Sequence, residues 1–142
     1  MLETKVSNIK PIVYIGIINN NKLLLVDYKH TPNPTKSGCW IPAPGLEFGE
    51  DPKEIAEKVA SDYGFEAVEA LLFDVESFVL PGGWHLICHY TIQVKTEPKS
   101  HPNIKEYKWV TIDQLVQMSD IAHGKWEVNL GKRYLNHYSN QS

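Results

Sequence analysis

The sequence predicts an α/β fold in which one mixed sheet carries helices segregated on its faces. Three observations lead there. Runs rich in β-branched and aromatic residues recur along the chain, in two pairs joined by turn signals. Three segments carry helical signals, one between the strand pairs and two after the last strand, giving the order ββαββ(β)αα. The 142 residues are the size of one domain, with neither an internal repeat nor a low-complexity linker to divide residues 1–142.

Taken in order, "PIVYIGIINNNKLLLVDYK" is two β-rich runs around Asn19, Asn20 and Asn21. Asparagine tolerates positive φ, so this reads as a hairpin. "HTPNPTKSG" is a loop by its Pro and Gly content, and "CWIP" is a short apolar piece before the Gly/Pro-rich "APGLEFGED". Asp51 can cap a helix that starts at Pro52, with Glu54 at its third position as in a capping box. That helix runs to about Tyr63 and ends at Gly64, suited to a left-handed cap. At 100° per residue, Ile55, Ala56, Val59, Ala60 and Tyr63 share one arc, while Glu54, Glu57, Lys58, Ser61 and Asp62 share the other. "ALLFDVESFVL" and "WHLICHYTIQVK" are strands joined by Pro81, Gly82 and Gly83. In the second strand, Trp84, Leu86, Cys88, Tyr90, Ile92 and Val94 lie on one side. His85, Ile87, His89, Thr91 and Gln93 lie on the other. "HPNIKEYKWVTI" is a further strand, "DQLVQM" a short helix, and "KWEVNLGKRYLNHY" a C-terminal helix with Gly131 as a weak point. The tail "NHYSNQS" reads as frayed.

The net charge of −3 argues against non-specific nucleic-acid binding, which needs a basic surface. Cys39 and Cys88 lie far apart with no C-x-x-C, as core-filling thiols do rather than a zinc or redox motif. "MLETKVSNIK" has no apolar signal-peptide core, and no apolar run is long enough to span a bilayer. The expectation is a cytoplasmic protein without nucleic-acid or membrane partners.

The segment "WIPAPGLEFGEDPKEIAEKVASDYGF" resembles the signature box of the Nudix hydrolases, G-x5-E-x7-R-E-U-x-E-E-x-G-U, where U is aliphatic. The order of elements is similar to the Nudix α/β/α sandwich over nearly the whole chain. "KEYKWVTIDQL" is also similar to a stretch that often follows in that family. The resemblance implies hydrolysis of a nucleoside diphosphate linked to another group, with Mg²⁺ or Mn²⁺ as cofactor. Carboxylates spaced i, i+3 and i+4 on one helix face would hold such hard cations, and the metals would neutralise the diphosphate and activate water. The Gly-rich loop, here Gly45, Glu47 and Gly49, would let backbone approach metal and phosphate.

Leu46, Glu47, Gly49 and Glu50 match the loop half of the box, led by Trp40 and Pro42. The helix half departs from it. Pro44 stands at the first Gly, and Glu50 to Gly64 is one residue short. Anchored on Gly64, Glu57 falls at the Arg position, Lys58 and Ser61 at the first two helix carboxylates, and Asp62 at the third. An ammonium group where a cation should bind adds repulsion. A second register offers Glu54, Glu57 and Asp62, with Glu47 or Glu50 from the loop, for a single hydrated ion. Glu54 and Lys58 read equally as a solvated i, i+4 pair.

Glu106 stands three residues before Trp109, where the family often has an acid near the site; it reads equally as a strand-end carboxylate facing solvent. His85 and His89 share a strand face about 13 Å apart, too far to share an ion. One suits a pocket and the other a core position. His123 precedes the last helix. Nudix relatives of the GDP-mannose hydrolase type use a loop His as base, a role a side chain titrating near neutrality suits; a surface loop His is the plainer reading. Trp84, Trp109, Trp126, Phe48 and Tyr28 can stack a base or fill the core. Lys29, His30 and Lys36 can meet phosphate or solvent.

The leading expectation is a divergent Nudix-type hydrolase of a nucleoside diphosphate-linked compound such as a nucleotide sugar, a pyrophosphohydrolase or glycosyl hydrolase. Its expected metal ligands are Glu50, Glu54, Glu57 and Asp62. Glu57, Glu106 and His123 are the catalytic candidates, and Trp84 and His85 the substrate-binding ones. The alternatives are a non-catalytic nucleotide-binding or regulatory domain and a structural or interaction module, such as a homodimer.

Overall fold

The computed structural model describes residues 9–139. Most of "MLETKVSNIK" and the end of the "NHYSNQS" tail lie outside them. The elements run β1 (Ile9–Asn19), β2 (Lys22–Tyr28), β3 (Cys39–Trp40), α1 (Pro52–Asp62), β4 (Leu71–Leu80), β5 (Gly83–Gln93), β6 (Ile104–Val110), α2 (Ile112–Gln117) and α3 (Gly124–Ser139). This is the expected order, with "CWIP" contributing the extra strand β3. α3 continues through Ser139, so the first part of the tail is helical rather than frayed.

The sheet is mixed. Its order is β3-β2-β1-β5-β4, with β6 also on β2. β1 and β5 are parallel and the other pairs antiparallel. Asn20 and Asn21 take positive φ at the first turn, as asparagine allows. β1 and β2 pair only beside that turn, at Ile18↔Leu23 and Asn19↔Lys22. The chain around β3 fills the gap that opens beyond. Trp40 pairs with Val26 of β2, while the Ile15 and Val13 amides of β1 donate to Pro42 O and Pro44 O, each at 2.9 Å. The loop half of the box is therefore sewn into the sheet by main-chain bonds.

Two cores lie on the two faces of this sheet. On one, Val13, Ile15, Ile17, Leu24 and Ile92 pack against Ala56 and Ala60 of α1 and Tyr63 at its C-cap. On the other, Tyr14, Ile18, Leu23 and Leu25 pack against Leu115 of α2 and Leu130 and Tyr134 of α3. The result is an α/β/α sandwich. Close approach explains the glycine in α3: a Cβ on Gly131 would lie 2.5 Å from Leu115 Cδ2 and 2.9 Å from Leu23 Cδ2. The residue that weakens the helix locally lets it seat on α2 and β2.

The ends of α1 differ in how they are capped. Asp51 precedes Pro52 at the N-terminus but its side chain makes no capping bond, so the expected capping box is not formed. At the C-terminus Gly64 has φ +95, the Gly64 amide donates to Ser61 O and the Phe65 amide to Ala60 O, both at 2.9 Å. These paired bonds make a Schellman motif. α2 carries the capping box instead, with reciprocal bonds between Thr111 and Gln114. Among the described residues no helix is long and apolar enough to cross a membrane.

Candidate functional site

The box loop closes on itself. The Glu47 amide donates to Glu50 Oε1 at 2.7 Å and the Glu50 amide to Glu47 O at 3.1 Å. Gly49 makes this turn at φ +85, in the left-handed region. Gly45 bridges to Ile12 of β1, and Phe48 stands fully in solvent.

The carboxylates of α1 are committed within the protein or dispersed. Glu57 Oε2 accepts the amide of Ala70 at 3.0 Å, tying α1 to the start of β4. Lys58 pairs with Asp62 at 3.5 Å on the exposed face, and Glu54 is exposed. Glu106 pairs in register with Asp27 of β2. Its neighbour Tyr107 faces Tyr63, at the C-cap of α1, at 5.5 Å between ring centroids, so by alternation Glu106 points to the other side. Among the described residues no three His, Cys, Asp or Glu side chains form a group that could hold a metal ion. The expected set of Glu50, Glu54, Glu57 and Asp62 is not assembled. The short helix register, the Glu57 bond and the Lys58 ammonium account for that. The residues present do not fit a Mg²⁺ or Mn²⁺ centre of the kind the resemblance implies.

The opposite face of the sheet holds a cavity of about 630 Å³, within the usual range for small-molecule sites. Ile12, Ile87 and Leu80 supply aliphatic walls, and Tyr14, Phe78 and Trp126 aromatic ones. Asn33, Lys36, His85 and His123 supply the polar groups. Among the described residues no carboxylate lines it. Tyr14 and Trp126 meet edge to face at 5.3 Å, and Phe78 stacks on His85 at 5.5 Å with 9° between planes. His85 Nδ1 lies 3.2 Å from Gly83 O. Burial raises the Tyr14 hydroxyl well above its ordinary range, reinforced by Glu127 and Glu76, so it remains a donor. A second cavity of about 560 Å³ beyond α1 is lined by Glu66 and Glu69 and has Phe65 as its one aromatic wall.

His123 enters the cavity from the N-terminus of α3. Its Nδ1 lies 3.3 Å from Glu127 Oε1, which also accepts the His123 amide at 3.0 Å. The other oxygen, Oε2, accepts the Ile41 amide at 2.7 Å. Glu127 is completely buried, and its bonds join α3, the His123 loop and the entry to the box. Burying its two oxygens is compensated by the amide donors they meet. The His123 ring packs edge-on against Trp40 at 4.8 Å. The Trp40 Nε1–H is buried without a partner among the described residues; it is a donor, suited to an oxygen acceptor rather than to a cation.

Of the substrate-binding candidates, His85 lines the cavity, whereas Trp84 sits on the α1 side of the sheet, paired with Ile9 and Val79. His89 is a core residue. Its Nε2 bonds Glu76 and its Nδ1 bonds Tyr134, both at 2.7 Å. Of the other aromatic and basic candidates, Trp126 and Lys36 reach the cavity. Tyr14, Phe78, Ile87 and Glu127 were not singled out from sequence. The i, i+4 spacing of His123 and Glu127 was the available signal for the last of these.

No family model and no curated protein sequence matches the chain. Solved structures do. A NUDIX-family hydrolase from Clostridium perfringens superposes with TM-score 0.71 at 14% identity, over 92% of this chain and 98% of that one. A NUDIX hydrolase from Nitrosomonas europaea gives 0.67 at 21% identity, over 92% and 90%. An ADP-ribose pyrophosphatase from Streptococcus suis gives 0.65 at 14%, over 91% of each chain. With its mixed sheet, its box segment sewn between β1 and β2 and its helices on both faces, the chain has the Nudix hydrolase fold.

Proposed function

We propose that the protein binds a nucleoside diphosphate-linked compound in the cavity between β5 and α3, without the multi-metal chemistry implied by an intact box. The observation that supports this is the cavity lining: aromatic walls beside Lys36, His85 and His123, with no carboxylate among them. Tyr14, Phe78 and Trp126 suit a base or sugar ring, and the basic groups suit phosphate oxygens. The test is calorimetry with a panel of nucleoside diphosphates and nucleotide sugars, with Mn²⁺ and with EDTA. Binding is expected to survive EDTA, and Trp126→Ala to weaken it about tenfold or more, as loss of a stacking surface does. Binding that requires Mn²⁺, or no binding by the whole panel, overturns the reading.

A second reading is hydrolysis with His123 as general base, favoured by the buried Glu127. Glu127 engages Nδ1 and leaves Nε2 without a hydrogen bond to the described residues. A histidine oriented in this way can accept a proton from water at Nε2. Product analysis by chromatography tests it. Turnover abolished by His123→Gln, with ligand affinity retained, supports hydrolysis, whereas absence of turnover leaves the binding domain alone.

A further inference from the structure

We propose that the Tyr14 hydroxyl is the group that selects the ligand, by donating to an oxo group on its ring; this rests on the cavity between β5 and α3 holding a nucleoside diphosphate-linked compound. Two buried tyrosines lie in the core on the α3 face, Tyr14 and Tyr134. The Tyr134 hydroxyl bonds His89 at 2.7 Å. Tyr14 is only 5% exposed and its ring meets His89 and Trp126, yet its hydroxyl bonds none of the described residues. A buried donor left unmade costs free energy, so native structures rarely leave one without a use. This hydroxyl is not sealed into the core. Among the described residues Trp40 Nε1 is the one side-chain polar atom both unpartnered and closed off, whereas Tyr14 lines the cavity. Its free O–H therefore opens there.

Charge and register decide what it meets. Glu127 and Glu76 both hold the proton on Tyr14, so it donates from a region of negative potential. A phosphate oxygen brought there would meet like charge. Lys36, the ammonium group of the cavity, stands elsewhere, on the loop before β3. The acceptor is thus an uncharged oxygen. Tyr14 pairs with His89, whose ring nitrogens are both bonded, and the next pair on that face is Ile12 with Ile87. A sugar hydroxyl would bring a second donor among neighbours with no free acceptor. A ring oxo group needs only the donor that Tyr14 supplies, and an amino group in its place would leave the O–H unmade. Trp126, edge to face with Tyr14 at 5.3 Å, offers the flat wall such a ring stacks on.

Calorimetry of the full chain in EDTA tests this with diphosphates that differ by oxo against amino: uridine against cytidine, and inosine against adenosine. Within each pair that binds, the oxo member should bind about tenfold or more tightly. Tyr14→Phe should remove the preference by weakening the oxo member alone. Since the hydroxyl has no partner in the fold, that variant should keep the wild-type urea midpoint or raise it. Nucleotides that bind without preference overturn the role of Tyr14 and leave the occupancy of the cavity standing. So does a preference that survives Tyr14→Phe, a loss shared equally by all four nucleotides, or a urea midpoint that falls, because the hydroxyl then serves another group. A panel that does not bind at all overturns the occupancy and the role together.

Discussion

The two faces of the sheet put their polar groups to different uses. On the α1 face, the helix carboxylates hold the protein together or meet solvent: Glu57 ties down Ala70 and Asp62 pairs with Lys58. On the α3 face, a single buried carboxylate, Glu127, positions a histidine at the wall of an aromatic cavity. The difference shows that the structural role of the box segment and the chemistry of its outward face rest on different residues. The buried stripe of α1 and its Gly64 cap lie on other residues than those that would meet a cation. The packing of α1 therefore does not depend on what its outward face carries.

The sharpest break in this comparison is Glu127→Ala. It leaves the Ile41 and His123 amides without their acceptor, and the expected loss is roughly 2–5 kcal/mol of stability together with ligand binding. Urea denaturation and calorimetry measure both. Glu57→Ala should cost roughly 1–2 kcal/mol through the buried Ala70 amide and leave ligand affinity unchanged. A large loss of affinity would return the chemistry to α1.

Acid pH should act through the α3 face. Burial lowers the His89 pKa, against the raising pull of its Glu76 partner. The folded state then binds a proton less readily than the unfolded chain. Stability is complete above the ordinary value near 6.5 and falls as pH drops from there toward the folded value. Denaturation at stepped pH should show that decline, with Asp74, held low by Arg133, adding its own loss only in stronger acid. The smallest effect belongs to Lys58→Ala, under about 0.5 kcal/mol for an exposed i, i+4 pair.

Local pattern made most of the fold legible. The stripe of α1, the Asn turn, the alternation of β5 and the glycine after α1 each encode themselves within a few residues. The Asp51 capping box did not form, since a capping side chain must also find its amide and this one does not. The site was harder to read. His85, Trp126, Lys36 and His123 were among the candidates, and alternation set His85 and Trp84 on opposite faces of β5, but nothing local said which face would carry the cavity.

The sequence by itself determined the elements, their order and the break in the helix half of the box, because hydrophobic period, turn chemistry and residue spacing act over short distances. Only the tertiary structure decided which polar groups meet. The bonds from Glu127 to Ile41, Glu57 to Ala70 and His89 to Tyr134 span separations of 86, 13 and 45 residues. The cavity arises where β1, β4, β5 and α3 converge, and no one of those segments contains enough of its wall to announce it.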